Sequence, residues 1–310
     1  MSTLRGRVAG LPDWDRCAVM GVVNVTPDSF SDGGEWFDPE LAVKHGLDLV
    51  AQGADMVDVG GESTRPGAAR VDEAEELRRV VPVVRELAAA GVVVSVDTMR
   101  ASVAEQAVQA GARLVNDVSG GLADPAMVPV VAAHHVPLVV MHWRGQSIDM
   151  NNRAVYADVV GEVVDELARS MERAVAGGVD PDRIVIDPGL GFAKNAEHDL
   201  ALIAQLGRLR SLGRPLLVAA SRKRFLGRVL AGGEGAAPPP ARERDAATAA
   251  VSAIVAREGA WAVRVHEVRA SADAVRVARA VEQAARAAGG AGSPGARPAG
   301  AAAATATGTT

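Results

Sequence analysis

Asp97, Asn116 and Asp187 each stand at the end of a short Val/Leu/Ile-rich run, and Lys223, Arg264 and His266 follow or close two more such runs. Asn24 ends the first run, the second leads into Glu62, Ser63, Thr64 and Arg65, and the fifth offers Met141 and His142. The set divides by charge. Arg65, Lys223, Arg264 and His266 suit a polyphosphate, with Asn24 as an oxygen ligand for a magnesium ion. Asp97, Asn116 and Asp187 suit the donor-rich edge of an aminopyrimidinone ring and a positive charge beside it. Together they imply a substrate that carries both a hydrogen-bonding heterocycle and a phosphate leaving group. Each member alone has a plainer reading. An Asn or Asp after a strand commonly bonds nearby backbone amides, Ser221-Arg222-Lys223 would serve as a solvated helix start, and His266 as a structural histidine. Independent capping is a poor account of seven polar strand ends at once.

Positioning these residues falls to a repeated strand–helix unit. The apolar runs cover residues 18–25, 55–60, 92–97, 113–118, 136–141, 183–187, 215–220 and 260–265, each followed by a helical stretch. That is the pattern of βα units around a parallel sheet. After the second run, Leu77, Val80, Val81, Val84 and Leu87 share one helix face at three- and four-residue spacing, and Gly91 ends the helix. Pro39, Pro125 and Pro181 stand near helix starts, where a missing amide costs nothing. Eight units over about 270 residues fit a single α/β domain, a (β/α)₈ TIM-type barrel over residues 18–288, whose strand ends converge on one face. An open doubly wound sheet is the alternative, but the first strand lacks a G-x-G-x-x-G turn and no shift in composition marks a second domain. Residues 1–17 read as a lead-in and 232–242 as a Gly- and Pro-rich surface loop after the seventh strand. Residues 289–310 read as a low-complexity tail expected to be disordered.

The 310 residues include 33 basic and 38 acidic side chains, and the net charge of −5 argues against a nucleic-acid partner. With 48% hydrophobic and 23% charged residues the chain has the composition of a globular protein with a large core. Cys17 is the only cysteine, which excludes an intramolecular disulfide and a Cys-type zinc site and fits a reducing, cytoplasmic setting. No secretory signal or membrane span is expected. The lead-in is charged, and the longest apolar stretch, 126–141, is interrupted by Pro129, His134, His135 and Pro137.

Seven segments carry a family resemblance: GVVNVTPDSFSDGG at 21–34, GGESTRPGA at 60–68, SVDT at 95–98, NDVSG at 116–120, DPGLGF at 187–192, SRK at 221–223 and RVH at 264–266. In this order and spacing they resemble the dihydropteroate synthases of folate biosynthesis, over roughly residues 18–280. The resemblance implies a (β/α)₈ barrel, a homodimer, and the condensation of p-aminobenzoate with hydroxymethyl-dihydropterin diphosphate to give dihydropteroate and diphosphate. It implies that Asp97, Asn116, Asp187 and Lys223 hold the pterin with Thr64 beside it. It assigns the diphosphate to Arg264, His266 and a magnesium ion at Asn24. Residues 26–34 and 62–68 resemble the family's two mobile loops, which contain Asp32, Arg65 and Pro66. Phe192, Ser221 and Pro66 resemble the walls of the p-aminobenzoate pocket, and Met141 lies among the substrate-binding positions. Ala193, Trp143 and Arg224 depart from the family's usual residues outside this set. Two other readings stand beside it. A methyltetrahydrofolate–corrinoid methyltransferase would share the pterin-holding acids but gives no reason for the basic set, and a non-catalytic paralogue would keep the barrel alone.

Overall fold

A two-residue alternation decides which side chains enter the barrel. The computed structural model describes residues 5–26, 38–62, 71–145, 153–232 and 235–290. Its eight parallel strands are β1 (Ala18–Asn24), β2 (Met56–Gly60), β3 (Val94–Asp97), β4 (Leu114–Asp117), β5 (Leu138–Met141), β6 (Ile184–Asp187), β7 (Leu217–Val218) and β8 (Ala262–Val265). They are ordered β6-β5-β4-β3-β2-β1-β8-β7, and the parallel bridge Ile186–Leu216 brings the two edges together into a (β/α)₈ barrel. Val57, Val59, Val94, Val96, Ile184 and Ile186 pack outward against the helices. Met20, Met56, Leu114, Val139, Val185 and Leu217 fill the interior instead. Val8, Trp14 and Trp261 pack onto that interior cluster from the amino-terminal end, with the two indole rings 5.9 Å apart.

Ten helices among the described residues surround the strands: α1 (Pro39–Ala51), α2 (Glu73–Ala89), α3 (Ala101–Gln109), α4 (Met127–His134), α5 (Val159–Ala176), α6 (Ala196–Ala204), α7 (Leu206–Arg210), α8 (Arg224–Leu230), α9 (Asp245–Arg257) and α10 (Val268–Gly290). Their starts are written locally. Asp38 accepts the Glu40 amide at 2.8 Å with Pro39 at the first helical position, and Asp72 accepts the Glu75 amide at 2.8 Å. Gly91 follows α2 with φ +80°, a turn that glycine makes without strain.

Four details depart from the sequence reading. On α2 the fully buried face is Glu76, Arg79, Val80, Val83, Val84 and Leu87, while Leu77 and Val81 are half-buried. The helix is rotated because Glu76 accepts from Thr98 at 2.6 Å and Arg79 donates to the Gly61 carbonyl at 3.0 Å. The seventh strand shrinks to Leu217–Val218, since its neighbour β6 meets it at a single bridge. Pro181 opens a 3₁₀ turn into β6 and not an α-helix. α10 runs to Gly290, beyond the expected boundary at 288, and residues 291–310 lie outside the described residues. No helix among the described residues is long and apolar enough to cross a membrane.

Candidate active site

The inward-facing positions change character along the barrel axis. Above the apolar layer come Asp58 on β2, Ser95 and Asp97 on β3, Asn116 on β4, Asp187 on β6 and Arg264 on β8, all but Arg264 almost fully buried. Burying so many polar groups is costly unless they pair, and they do. Arg264 Nε donates to Asp58 Oδ2 at 2.6 Å, and its Nη2 donates to Asp97 Oδ2 at 2.6 Å. Asn116 Nδ2 donates to the same Asp58 oxygen at 2.9 Å. Asp58 Oδ1 and Ser95 Oγ, on register partners of β2 and β3, are buried without a hydrogen bond among the described residues.

The opposite charges therefore meet, as the sequence reading required, but they do not form two separate halves. Arg264 is clamped between Asp58 and Asp97, so a ligand meets a guanidinium already oriented by two carboxylates. The stagger of the strands explains this. Arg264 is in register with Met20, which pairs with Met56, so the guanidinium starts one layer below Asp58 and reaches up past it.

Asp187 is held on the other side of the mouth. Its Oδ1 accepts the Gly189 amide at 2.7 Å, and Met141 stands beside it in register on β5. Lys223 donates to the Leu190 carbonyl and lies 4.9 Å from the centre of the Phe192 ring. Ser221 Oγ accepts the His266 amide at 3.1 Å and sits 3.0 Å from its Nδ1, fixing the imidazole. Ser221 thus serves His266, in addition to any part in a pocket wall. Arg222 turns away: at φ +59° it pairs with Asp245 at 2.7 Å and 2.8 Å. Asp117 also turns away and accepts from Ser119 and Gly121, the capping role that Asn and Asp residues after strands usually play. Thr64, Asp32, Arg65 and Pro66 lie outside the described residues.

Burial works against every charge in this set, and the neighbouring charges decide how far each yields. Burial raises the Asp97 carboxyl, Arg264 pulls it back, and the neighbouring Asp58 raises it again. Burial likewise raises Asp187, opposed by Lys223 and the Gly189 amide. Lys223 is pushed down to about 8 by burial against the pull of Asp187 and Asp199. Burial also works against the Arg264 charge, but Asp58 and Asp97 outweigh it. The mouth thus holds cations and anions poised against each other in a poorly solvated space.

Two groups escaped the sequence reading. Asp58 is a lone acid inside Met56-Val57-Asp58-Val59-Gly60, and a charge in the middle of an apolar strand is itself the signal that was available. Lys194 is buried beyond the end of β6 and donates to His142 Nδ1 at 2.9 Å.

Among the described residues no three His, Cys, Asp or Glu side chains gather as a metal cage. Asn24, half-buried at the end of β1, offers an amide oxygen. Magnesium keeps most of its waters and takes one or two protein oxygens beside phosphate, so this donor set fits an ion held chiefly through a phosphorylated ligand.

Comparison with known proteins agrees with the geometry. Residues 20–266 match the model of the family described as pterin binding enzyme. The dihydropteroate synthase of Mycobacterium leprae is 59% identical over 260 residues, covering 84% of this chain and 91% of that protein. The structure of the Xanthomonas albilineans dihydropteroate synthase in complex with 7,8-dihydropteroate superimposes with a TM-score of 0.78 at 41% identity, covering 88% of this chain and 97% of that one. That of the Yersinia pestis dihydropteroate synthase with a sulfonamide drug does so with a TM-score of 0.82 at 39% identity, covering 89% and 98%. The chain belongs to the pterin-binding enzymes and, within them, to the dihydropteroate synthases.

Proposed function

We infer that the chain joins p-aminobenzoate to (7,8-dihydropterin-6-yl)methyl diphosphate, releasing 7,8-dihydropteroate and diphosphate. The observation that carries this reading is the meeting of Arg264 with Asp58 and Asp97 at 2.6 Å, in a mouth that also holds Asp187 and Lys223. Such a site can stabilise a cation and an anion that separate from one molecule.

Asp97, Asn116, Asp187 and Lys223 hold the pterin ring, with Thr64 beside it, and Met141 lines the pocket. Arg264 and His266 receive the diphosphate. A magnesium ion at Asn24 would neutralise charge on the departing diphosphate. The C–O bond breaks with its electron pair leaving on the diphosphate, and the methylene carbon becomes cationic in conjugation with the ring. Asp97 and Asp187 favour that charge. The neutral aromatic amine then forms the C–N bond with its lone pair, and the nitrogen, now acidic, gives up its proton without a strong base. Phe192, Ser221 and Pro66 wall the p-aminobenzoate side. The exclusion of water, which would otherwise capture the cation, is assigned by the family resemblance to residues 26–34 and 62–68, with Asp32 and Arg65, most of which lie outside the described residues. A cytoplasmic homodimer completes the proposal, supported by family membership and by a chain with one cysteine.

The test is incubation of the purified chain with p-aminobenzoate, the pterin diphosphate and magnesium, with dihydropteroate detected by mass. Product formation dependent on all three is expected. Its absence would refute the reading, and methyl transfer to a corrinoid protein would replace it.

A further inference from the structure

We propose that Lys194 is a positioning residue that sets the p-aminobenzoate wall of the site, an inference that rests on the reaction assigned above. Lys194 is only 3% exposed, and its ammonium has three hydrogens and three acceptors: the Gly189 carbonyl at 3.0 Å, the Phe192 carbonyl at 3.0 Å and His142 Nδ1 at 2.9 Å. Two of these lie on the loop that joins Asp187 to Phe192. The third anchors the loop to the end of β5.

The anchor is braced from outside. With Nδ1 accepting from Lys194, His142 Nε2 carries the proton and donates to Glu166 Oε2 on α5 at 2.9 Å. Arg144 grips the same Glu166 at 2.5 Å and 3.1 Å and stacks over Tyr156, 3.9 Å from its ring centre. Tyr156 returns to the loop, donating to the Ala193 carbonyl at 3.0 Å, where the backbone is left-handed at φ +49°. Each carbonyl from Gly189 to Ala193 except that of Gly191 has a side-chain or backbone donor assigned to it.

Burial works against the Lys194 ammonium, and the Asp199 and Asp187 carboxylates favour it. What the cation supplies is placement. It fixes the carbonyl of Phe192, whose ring lies under the Lys223 ammonium, and the carbonyl of Gly189, whose amide holds Asp187. Lys194 itself reaches neither substrate, so its effect passes through these neighbours.

The experiment compares Lys194→Met and Lys194→Gln with the parent enzyme. For Lys194→Met we expect the KM for p-aminobenzoate to rise about tenfold, as displacement of a positioning wall does, with pterin affinity by calorimetry changing less, and the melting temperature to fall because three buried acceptors lose their donor. Lys194→Gln, which keeps donors, is expected to fall between the two. Hydrogen exchange across residues 189–194 should quicken in both variants. A p-aminobenzoate KM unchanged in a folded variant would overturn the proposal, as would an equal rise in both substrate constants. If the parent makes no dihydropteroate, the reaction reading fails and the strut fails as a substrate wall, while unchanged loop exchange would reject it on structural grounds alone.

Discussion

Arg264 Nε lies 2.6 Å from Oδ2 of Asp58, a carboxylate with no solvent exposure on the far side of β1. This pairing gives the guanidinium its orientation before any ligand enters. Removing the guanidinium itself, Arg264→Ala, should cut turnover at least about a hundredfold, the scale of one preorganised charged group. Asp58→Asn, which keeps the shape and loses the charge, should cost about tenfold, because it acts through Arg264 and Asn116. The double variant should then lose less than the product of the two single losses in steady-state kcat/KM. Strictly multiplicative losses would show that Asp58 acts elsewhere.

Lys223 supplies a pH signature. Its ammonium titrates at about 8, below the usual value for lysine, so the charged fraction falls as pH rises through that point. Pterin affinity should therefore decline on the alkaline side of about 8, measured by calorimetry across pH. Lys223→Arg, which stays charged throughout, should remove that limb whatever it does to absolute affinity. The linkage to stability runs the opposite way. A folded pKa below the unfolded value means the unfolded chain binds the extra proton, so this group alone makes the fold relatively more stable as pH rises from about 8.

Gly189 has φ +65°, and a Cβ there would collide with the carbonyl of His142. Gly189→Ala should destabilise the fold by roughly 2 to 3 kcal/mol, combining left-handed strain with the clash. Denaturant titration measures it. A loss under about half a kcal/mol would mean the loop can move away freely, contrary to its hydrogen-bonded state.

Sulfonamides match p-aminobenzoate in shape and charge, and the similar Yersinia pestis enzyme has been crystallised with one. Inhibition of this chain should be competitive with p-aminobenzoate, raising its apparent KM without changing kcat. Inhibition that ignores p-aminobenzoate concentration would place the drug outside that pocket.

Much of the barrel was legible because short apolar runs recur along the chain and several of them end in polar residues. Asp97 and Asp187 end their strands and Asn116 stands next to the end of its own, where a polar residue stands out against the apolar ones before it. Asp58 did not stand out, because it lies two residues short of the end of β2 and only the alternation of side chains reveals that it faces inward. Asn116 and Asp117 are adjacent, and the sequence reading took Asn116 for the site; opposite pleat directions send Asn116 inward and Asp117 into a turn. Lys194 was hidden for a different reason. Its partners are backbone carbonyls and a histidine fifty-two positions away, a convergence that only the folded chain creates.

The sheet is held at its seam by one bridge, Ile186–Leu216, with Asp187 immediately after one edge and Lys223 beyond the other. A guest that grips both residues acts as a clasp across the weakest join of the wall. Occupancy and lateral cohesion thereby become a single equilibrium, and the molecule is most firmly shut when it is carrying its cargo.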